Sequence, residues 1–341
     1  MDQQRRTLRV GAAAVLCAVC LRLVSSGVLD PLLAAVQPEK LASFLMYVET
    51  GRILRAAPPS FETVPTGAAT SPTVTATEPT AETLAVSAPD RPVFTAEDVS
   101  GVSIRYSCDF YPDLEPLLTA PLDWNLVGSE PTVLIYHTHA TESYTKSPGE
   151  EYTETGSFRT LDDHYNMVSV GERLAQVLEA GGITVIHDKT HHDYPSYSGS
   201  YAASRDTVTE YLKQYPTIQL MLDLHRDAAE DASGQQVALI AQVDGEQLAR
   251  VMPVVGSEMG GLTFPGWREN LGLAMKLQVQ MERESPGLCR SINFCAQRYN
   301  EDLLPGALLI EIGAAGNTHP QALSAADALG KTILSLARGS G

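Results

Sequence analysis

The sequence predicts an α/β domain, with a mainly parallel sheet flanked by helices on both faces. From about residue 93 onward, short apolar runs of strand type alternate with longer amphipathic runs of helix type. Several of the apolar runs are followed directly by polar, chemically capable side chains. Alternation of this kind is typical of βαβ units, whose strands are parallel and buried on both faces.

The first strand is predicted at 133–136, where a short apolar run enters a polar segment. A helix follows at 166–180, because its apolar side chains share one face and Gly181 with Gly182 ends the pattern. The next apolar run, at 183–186, is predicted as the second strand.

The second half of the domain continues the same alternation. Pro216 stops one helix, whereas Thr318 caps another that has Pro320 in its first turn. The remaining predicted elements are a helix at 202–214, strands at 218–224 and 237–243, a helix at 269–284, a strand at 307–312 and a helix at 318–337.

The chain before this domain begins with a basic flank at 1–9 and an apolar run at 10–29. The run has about the 20 residues that cross a bilayer. A basic flank before a first span predicts a cytoplasmic N-terminus and an extracytoplasmic remainder. A cleaved signal peptide is the alternative, since 10–21 has the length of an h-region. We predict a retained, single-pass transmembrane anchor in the cell membrane.

Two further segments separate the anchor from the domain. Residues 30–56 carry apolar side chains at helical spacing and are predicted as an amphipathic juxtamembrane segment. Residues 57–92 are rich in Pro and Thr and poor in large apolar side chains, so they are predicted as a disordered stalk. This leaves 93–341 as one α/β domain, which is predicted to be catalytic.

The charge of the chain argues against one class of partner. Lys and Arg total 24 and Asp and Glu total 41, which gives a formal net charge of −17. Proteins that bind nucleic acid rely on clustered positive charge. The composition therefore predicts no nucleic-acid partner.

Residues able to bind a metal follow three of the predicted strands. His139 and Glu142 come after the strand at 133–136, His225 follows 218–224, and Glu311 lies near the end of 307–312. The carboxyl ends of parallel strands meet at one edge of a sheet, where ligands bind. Two His and one carboxylate are what a catalytic zinc ion needs. We therefore predict His139, Glu142 and His225 as zinc ligands and Glu311 as the general base.

Three neighbouring residues are candidates for supporting roles. By strand alternation His137 points the same way as His139, so it could replace His139 as a ligand or support it. Arg226 could pair with a carboxylate of the substrate. Asn317 could orient the loop after Glu311 or donate a hydrogen bond to an oxyanion.

In these motifs the chain resembles the stage II sporulation protein P family of membrane-anchored peptidoglycan hydrolases. The resemblance implies action on the cell wall during spore engulfment, at the septal membrane, with stage II sporulation protein D and membrane recruitment proteins as partners. It also implies endopeptidase activity on peptide cross-links. The matching stretches are 133–144, 166–174, 222–228, 267–277 and 299–318.

That family in turn is similar to the zinc N-acetylmuramoyl-L-alanine amidases, whose pattern His139, His225 and 311–317 (Glu-Ile-Gly through Asn) match. The amidases carry their ligand Glu further along the chain, where this sequence offers the acids of 151–163. Glu142 instead resembles the H-x-x-E motif of zinc carboxypeptidases, which have a related architecture. One alternative is therefore a stem-peptide carboxypeptidase. A second, from another class, is a non-catalytic, membrane-tethered wall-binding scaffold.

Overall fold

The computed structural model of the chain describes residues 92–261 and 263–337. The predicted flank, anchor, juxtamembrane segment and, except for Pro92, the stalk lie outside the described residues. Within the described ranges, no helix combines the length and the apolar character that crossing a membrane requires.

The described chain contains eleven strands. They are β1 (Ile104–Ser107), β2 (Pro131–Tyr136), β3 (Glu154–Gly156), β4 (Arg159–Thr160), β5 (Thr184–His187), β6 (Leu220–Asp227), β7 (Ile240–Val243), β8 (Glu246–Ala249), β9 (Val251–Val255), β10 (Ile292–Cys295) and β11 (Ala307–Ala314). The α-helices in the same residues are α1 (Leu114–Thr119), α2 (Met167–Ala180), α3 (Ser200–Gln214), α4 (Trp267–Glu284) and α5 (His319–Ala337).

Seven of these strands form the central sheet, in the order β1-β10-β9-β11-β6-β2-β5. Every neighbouring pair is parallel except β9 with β11, which is antiparallel. The predicted mainly parallel sheet is therefore confirmed, with the addition of a three-stranded half that runs in the opposite direction. The other four strands form two small hairpins, β3–β4 and β7–β8.

Strand β2 shows how the sheet is covered on both faces. Val133 and Ile135 belong to the main core, which includes side chains of α2, α4 and α5. Leu134 and Tyr136 point the other way into a smaller core, where they join Val208 of α3. This alternation is the period of two that a strand imposes, and both sets of side chains are apolar because both faces are buried.

The four predicted helices occur as α2, α3, α4 and α5, each starting within two residues of its predicted position. Two strands are longer than predicted at their carboxyl ends, since β6 continues to Asp227 and β11 to Ala314. The carboxyl ends of β2, β6 and β11 lie at one edge of the sheet because these strands are parallel. That edge holds the candidate site.

Candidate metal centre

His139, Glu142 and His225 form a single buried group at this edge. One ligand atom from each residue lies within 4.8 Å of the others. His139 and Glu142 belong to a turn after β2 that is closed by a hydrogen bond from the Glu142 amide to the His139 carbonyl. His225 lies within β6. The structure thus brings together the three residues that the sequence predicts as ligands.

Each histidine of the group lies close to the Glu142 carboxylate. Nδ1 of His139 lies 3.7 Å from Oε1 of Glu142, and Nδ1 of His225 lies 3.8 Å from Oε2. Bonds of about 2.0–2.2 Å to a tetrahedral zinc ion place ligand atoms about 3.4 Å apart. The two histidine-to-carboxylate distances are therefore within a few tenths of an ångström of that value, and two imidazoles with one carboxylate are a donor set of catalytic zinc sites.

Both imidazole rings are oriented by contacts to Nε2. In His225 this atom lies 2.9 Å from Oδ1 of Asp223, and in His139 it lies 3.1 Å from the Ser200 hydroxyl. Tyr197 also stacks on the His139 ring, with 4.5 Å between the ring centroids. As a result, both Nδ1 atoms face Glu142.

Positive groups surround the Glu142 carboxylate. The Arg226 amide donates to Oε2 at 3.2 Å, and the guanidinium of Arg159 donates to Oε1 at 3.3 Å. Burial alone would raise the pKa of Glu142, but the charges of Arg226, Arg159 and His225 outweigh it and hold the pKa below its ordinary value. Glu142 is therefore an anion, as a metal ligand must be.

The electrostatic surroundings of His225 favour a cation at this position. Burial by itself would lower the pKa of His225, but the carboxylates of Asp223, Glu142 and Glu311 raise it to about 9. The negative field that stabilises an imidazolium also stabilises a bound metal ion. When a metal ion binds, it displaces the proton from the imidazole nitrogen. The residues present therefore fit a zinc ion.

Glu311 lies beside this group on the next strand. It is buried within β11, and its register partner on the parallel strand β6 is His225. Residues paired in this way project from the same face of a sheet. The carboxylate that the sequence predicts as general base is therefore on the face of the sheet that carries the His225 ring.

Comparison with known proteins identifies the family of the chain. The family model for stage II sporulation protein P matches residues 70–334. The chain belongs to this family. Stage II sporulation protein P of Bacillus subtilis (strain 168) is 32% identical over 212 residues, which are 59% of this chain and 50% of the relative. The chain thus matches about half the length of that curated relative.

Solved N-acetylmuramoyl-L-alanine amidases align with part of the chain. Ami1 from Mycobacterium smegmatis is 13% identical and aligns over 63% of this chain and 99% of its own, with a TM-score of 0.38. The CwlD amidase from Clostridioides difficile, solved in complex with the GerS lipoprotein, is 11% identical over 61% of this chain and 95% of its own, with a TM-score of 0.36.

The sequence also offers the acids of 151–163 as an alternative to Glu142, by resemblance to the amidases, but in the structure these acids lie elsewhere. Glu151 and Glu154 are exposed. Asp162 accepts from His164, and Asp163 lies 2.7 Å from Nε2 of His191. None of them joins the metal group found among the described residues.

His137 lies in a different cluster from the one that the sequence predicts. Its Nδ1 contacts the Leu224 carbonyl at 3.1 Å, and its Nε2 lies 2.9 Å from Nε2 of His187. Strand alternation does not apply here, because β2 ends at Tyr136 and a turn begins at Thr138. The structure therefore does not bring the His137 ring into the group of His139.

Arg226 and Asn317 are both engaged with the protein itself. The Arg226 guanidinium donates to the carbonyls of Ser143 and Phe158, each at 3.1 Å, and lies 3.6 Å from Glu142. Asn317 accepts from the Ala314 amide and bonds both backbone groups of Leu239. Of the two roles foreseen for Asn317, these contacts correspond to orienting the loop after β11.

Two residues of the site were missed by sequence reasoning. Asp223 carried a usable signal, since Asp-x-His on a strand places both side chains on one face. Arg159 carried none, because it reaches Glu142 only through the pairing of residues 17 positions apart in the chain.

Proposed function

We propose that the chain is a zinc-dependent peptidoglycan hydrolase that cleaves the amide bond between N-acetylmuramic acid and L-alanine of the stem peptide. The observation that carries the proposal is the buried group of His139, Glu142 and His225 with Glu311 in register beside it. Membership of the stage II sporulation protein P family supports the wall as substrate.

A zinc ion held by His139, Glu142 and His225 would polarise the amide carbonyl and lower the pKa of a water molecule. Glu311 would take the proton from the attacking water as the new C–O bond forms. It would then deliver that proton to the amide nitrogen, so that the C–N bond breaks. The stem peptide leaves with a neutral amine on its L-alanine. Arg226 and Arg159 keep Glu142 ionised throughout.

The experiment that tests the proposal follows the products released from purified peptidoglycan. An amidase releases whole stem peptides with a new alanine amine and leaves intact glycan strands. We expect the wild type to do so, and we expect Glu311→Gln to retain zinc but lose activity by about 100- to 10,000-fold. Wild-type-like hydrolysis by this variant would remove Glu311 from the mechanism.

Glu301→Gln is the matched control. Glu301 is another buried carboxylate, but it accepts from the amides of Gly256 and Leu309. This variant tests the loss of a buried carboxyl group outside the metal group. Activity that falls equally in both variants would show that the effect of Glu311→Gln is structural.

The H-x-x-E spacing of His139 and Glu142 favours a second candidate, a zinc carboxypeptidase. That enzyme would release single residues from the carboxyl end of stem peptides and no whole peptides. A non-catalytic scaffold would bind the wall and release neither. The same product analysis therefore separates the three functions, and cleaved cross-links would reveal the endopeptidase activity that the resemblance implies.

The cellular setting is part of the proposal. A relative that is a sporulation protein supports action in sporulating cells, and we place the domain on the outer face of the septal membrane during engulfment. The anchor at 10–29, stage II sporulation protein D and the membrane recruitment proteins are predictions. Fractionation of sporulating cells tests the first, and co-purification tests the others.

A further inference from the structure

Asp223 is a buried carboxylate that touches the metal group without belonging to it. It lies on β6, two residues before His225, and is 1% exposed. Oδ1 lies 2.9 Å from Nε2 of His225. The contact is made from the side of the ring opposite to Nδ1, which is the atom that faces Glu142.

The same carboxylate also holds the turn that carries His139. The amide of Thr138 donates to Oδ1 at 2.8 Å, and the Thr138 hydroxyl donates to Oδ2 at 2.6 Å. Thr138 immediately precedes His139 in the chain. Oδ1 of Asp223 thus contacts both His225 on β6 and the turn after β2, whereas Oδ2 contacts only the turn.

One side chain therefore contacts two parts of the site that carry predicted ligands 86 positions apart in the sequence. It lies in charge contact with the His225 ring and is hydrogen-bonded to the residue before His139. Ligating histidines commonly use their second nitrogen in this way, which fixes the tautomer and the orientation of the ring. The additional bond to the neighbouring turn is what links the two histidines.

We propose that Asp223 is a positioning residue that sets the geometry of both histidine ligands of the metal centre. The inference rests on the metal site of the proposed function but not on the substrate. An alternative role is purely structural, in which Asp223 only ties β6 to the turn after β2. The two roles differ in metal affinity, which a structural role does not change once the protein has folded.

The test measures zinc affinity of the full chain in detergent by competition with a chromogenic chelator. We expect Asp223→Asn to bind zinc about 10- to 100-fold more weakly, the range seen for partners of metal-bound histidines. In the cobalt-substituted protein the visible d–d bands should shift, because the geometry of the ligands changes. Circular dichroism of the metal-free variant establishes that it is folded.

Asp188→Asn is the matched control. Asp188 follows β5, the strand at the edge of the sheet beside β2, is also buried, and accepts from Thr190 and Tyr211 away from the metal group. Its zinc affinity should stay within about twofold of the wild type. A loss equal to that of Asp223→Asn would overturn the proposal.

A second variant covers the case in which Asp223→Asn does not fold. Thr138→Val keeps the amide bond to Asp223 and removes the hydroxyl, which contacts both Asp223 and Ser204, so it should weaken zinc binding measurably but less than Asp223→Asn. Unchanged affinity in folded Asp223→Asn, or in Thr138→Val if the first variant is unfolded, overturns the proposal. A wild type that binds no zinc would instead refute the metal centre itself, which keeps the two failures distinct.

Discussion

At the scale of single residues, Glu142 shows how a buried carboxylate stays ionised. Two guanidinium groups and two imidazoles lie within 4 Å of its oxygens. A buried carboxylate without such partners would become protonated and would then be a poor metal ligand. The arginines thus keep the predicted ligand ionised at a cost, since their positive charge would also oppose that of a bound metal ion. This balance predicts a site that is preformed before the metal binds.

Gly171 is required by the histidine cluster that lies next to the metal group. It sits in α2, and a Cβ at this position would lie 2.5 Å from Nε2 of His187 and 2.6 Å from Nε2 of His137. Alanine in a helix is about 1 kcal/mol more favourable than glycine, but overpacking a buried site costs about 1–3 kcal/mol. We therefore expect Gly171→Ala to reduce the free energy of unfolding in urea.

Gly101→Ala serves as the control for this change. No atom lies within 4 Å of the Cβ that would be added at Gly101. The same substitution should therefore leave stability within about 0.5 kcal/mol of the wild type. If Gly171→Ala were as stable as Gly101→Ala, the histidine rings would have room to move and the packing argument would be wrong.

The sequence predicted the three grouped ligand candidates because each lies at or near the end of an apolar strand. Strand ends are visible in the order of residues, and parallel strands bring them together. Arg159 was not predictable in this way, since its contact depends on a hairpin with no apolar pattern. Alternation does not define the direction of the His137 ring, because β2 ends at Tyr136.

At the scale of elements, the β3–β4 hairpin is joined to the metal group through Arg159. Its guanidinium pairs with Asp193, whose side chain is fully buried, as well as with Glu142. Removing Arg159 leaves a buried carboxylate without this partner, which costs about 1–3 kcal/mol. We expect Arg159→Gln to lower the free energy of unfolding by this amount and to loosen the hairpin, measured by hydrogen exchange of its amides.

Arg173→Gln provides the comparison, because Arg173 pairs with Asp327 on the surface. Exposed pairs contribute about 0–1 kcal/mol, so this variant should be nearly as stable as the wild type. Equal losses in the two arginine variants would mean that burial of Asp193 does not strengthen the Arg159 contact.

The packing of α4 on α1 includes a buried ammonium group, which makes stability depend on pH. Nζ of Lys276 donates to the Leu117 carbonyl at 2.9 Å, and burial lowers the pKa of Lys276 from 10.5 to about 8. Between these two pH values the unfolded chain binds the proton and the folded protein does not. The contribution of Lys276 to the free energy of unfolding therefore rises with pH in this window.

Lys276→Met isolates this effect, because it keeps the length of the side chain and removes the charge. We expect the difference in unfolding midpoint, wild type minus variant, to increase from pH 7.5 to pH 9.5. Other groups that titrate in this range are common to both proteins and cancel. A difference that stays constant with pH would show that the ammonium group remains charged in the folded state.

The helices were the most predictable elements, because 14 to 19 residues of periodic pattern define each of α2 to α5. The half of the sheet formed by β1, β9 and β10 was not predicted. Pro253 within β9 argues against a central strand, because proline cannot donate to the ladder of hydrogen bonds. The pairing of these strands is set by contacts distant in sequence, which a local pattern does not contain.

At the scale of the whole molecule, the domain begins before its first strand. Phe94, Val99 and Val102 pack against the main core. Asp98 pairs with Arg283 of α4 at 2.5 Å, and the same guanidinium lies 5.2 Å from the centre of the Phe94 ring. Residues 94–102 therefore behave as part of the folded unit, although they carry no strand and no α-helix.

This packing leads to a prediction about where the chain can be cut. A fragment of residues 93–341 keeps all of these contacts and should fold alone, bind zinc and release stem peptides from purified peptidoglycan.

A fragment of residues 104–341 exposes the core that Phe94, Val99 and Val102 cover. Each buried apolar side chain of this size contributes about 1.5–3 kcal/mol when fully buried, and these are only partly buried. We therefore expect a loss of about 2–4 kcal/mol in total, which urea unfolding of the two fragments measures directly. If the shorter fragment were equally stable, the domain would begin at β1 and residues 93–103 would belong to the predicted stalk. If the longer fragment did not fold, the folded unit would need part of the chain before residue 93.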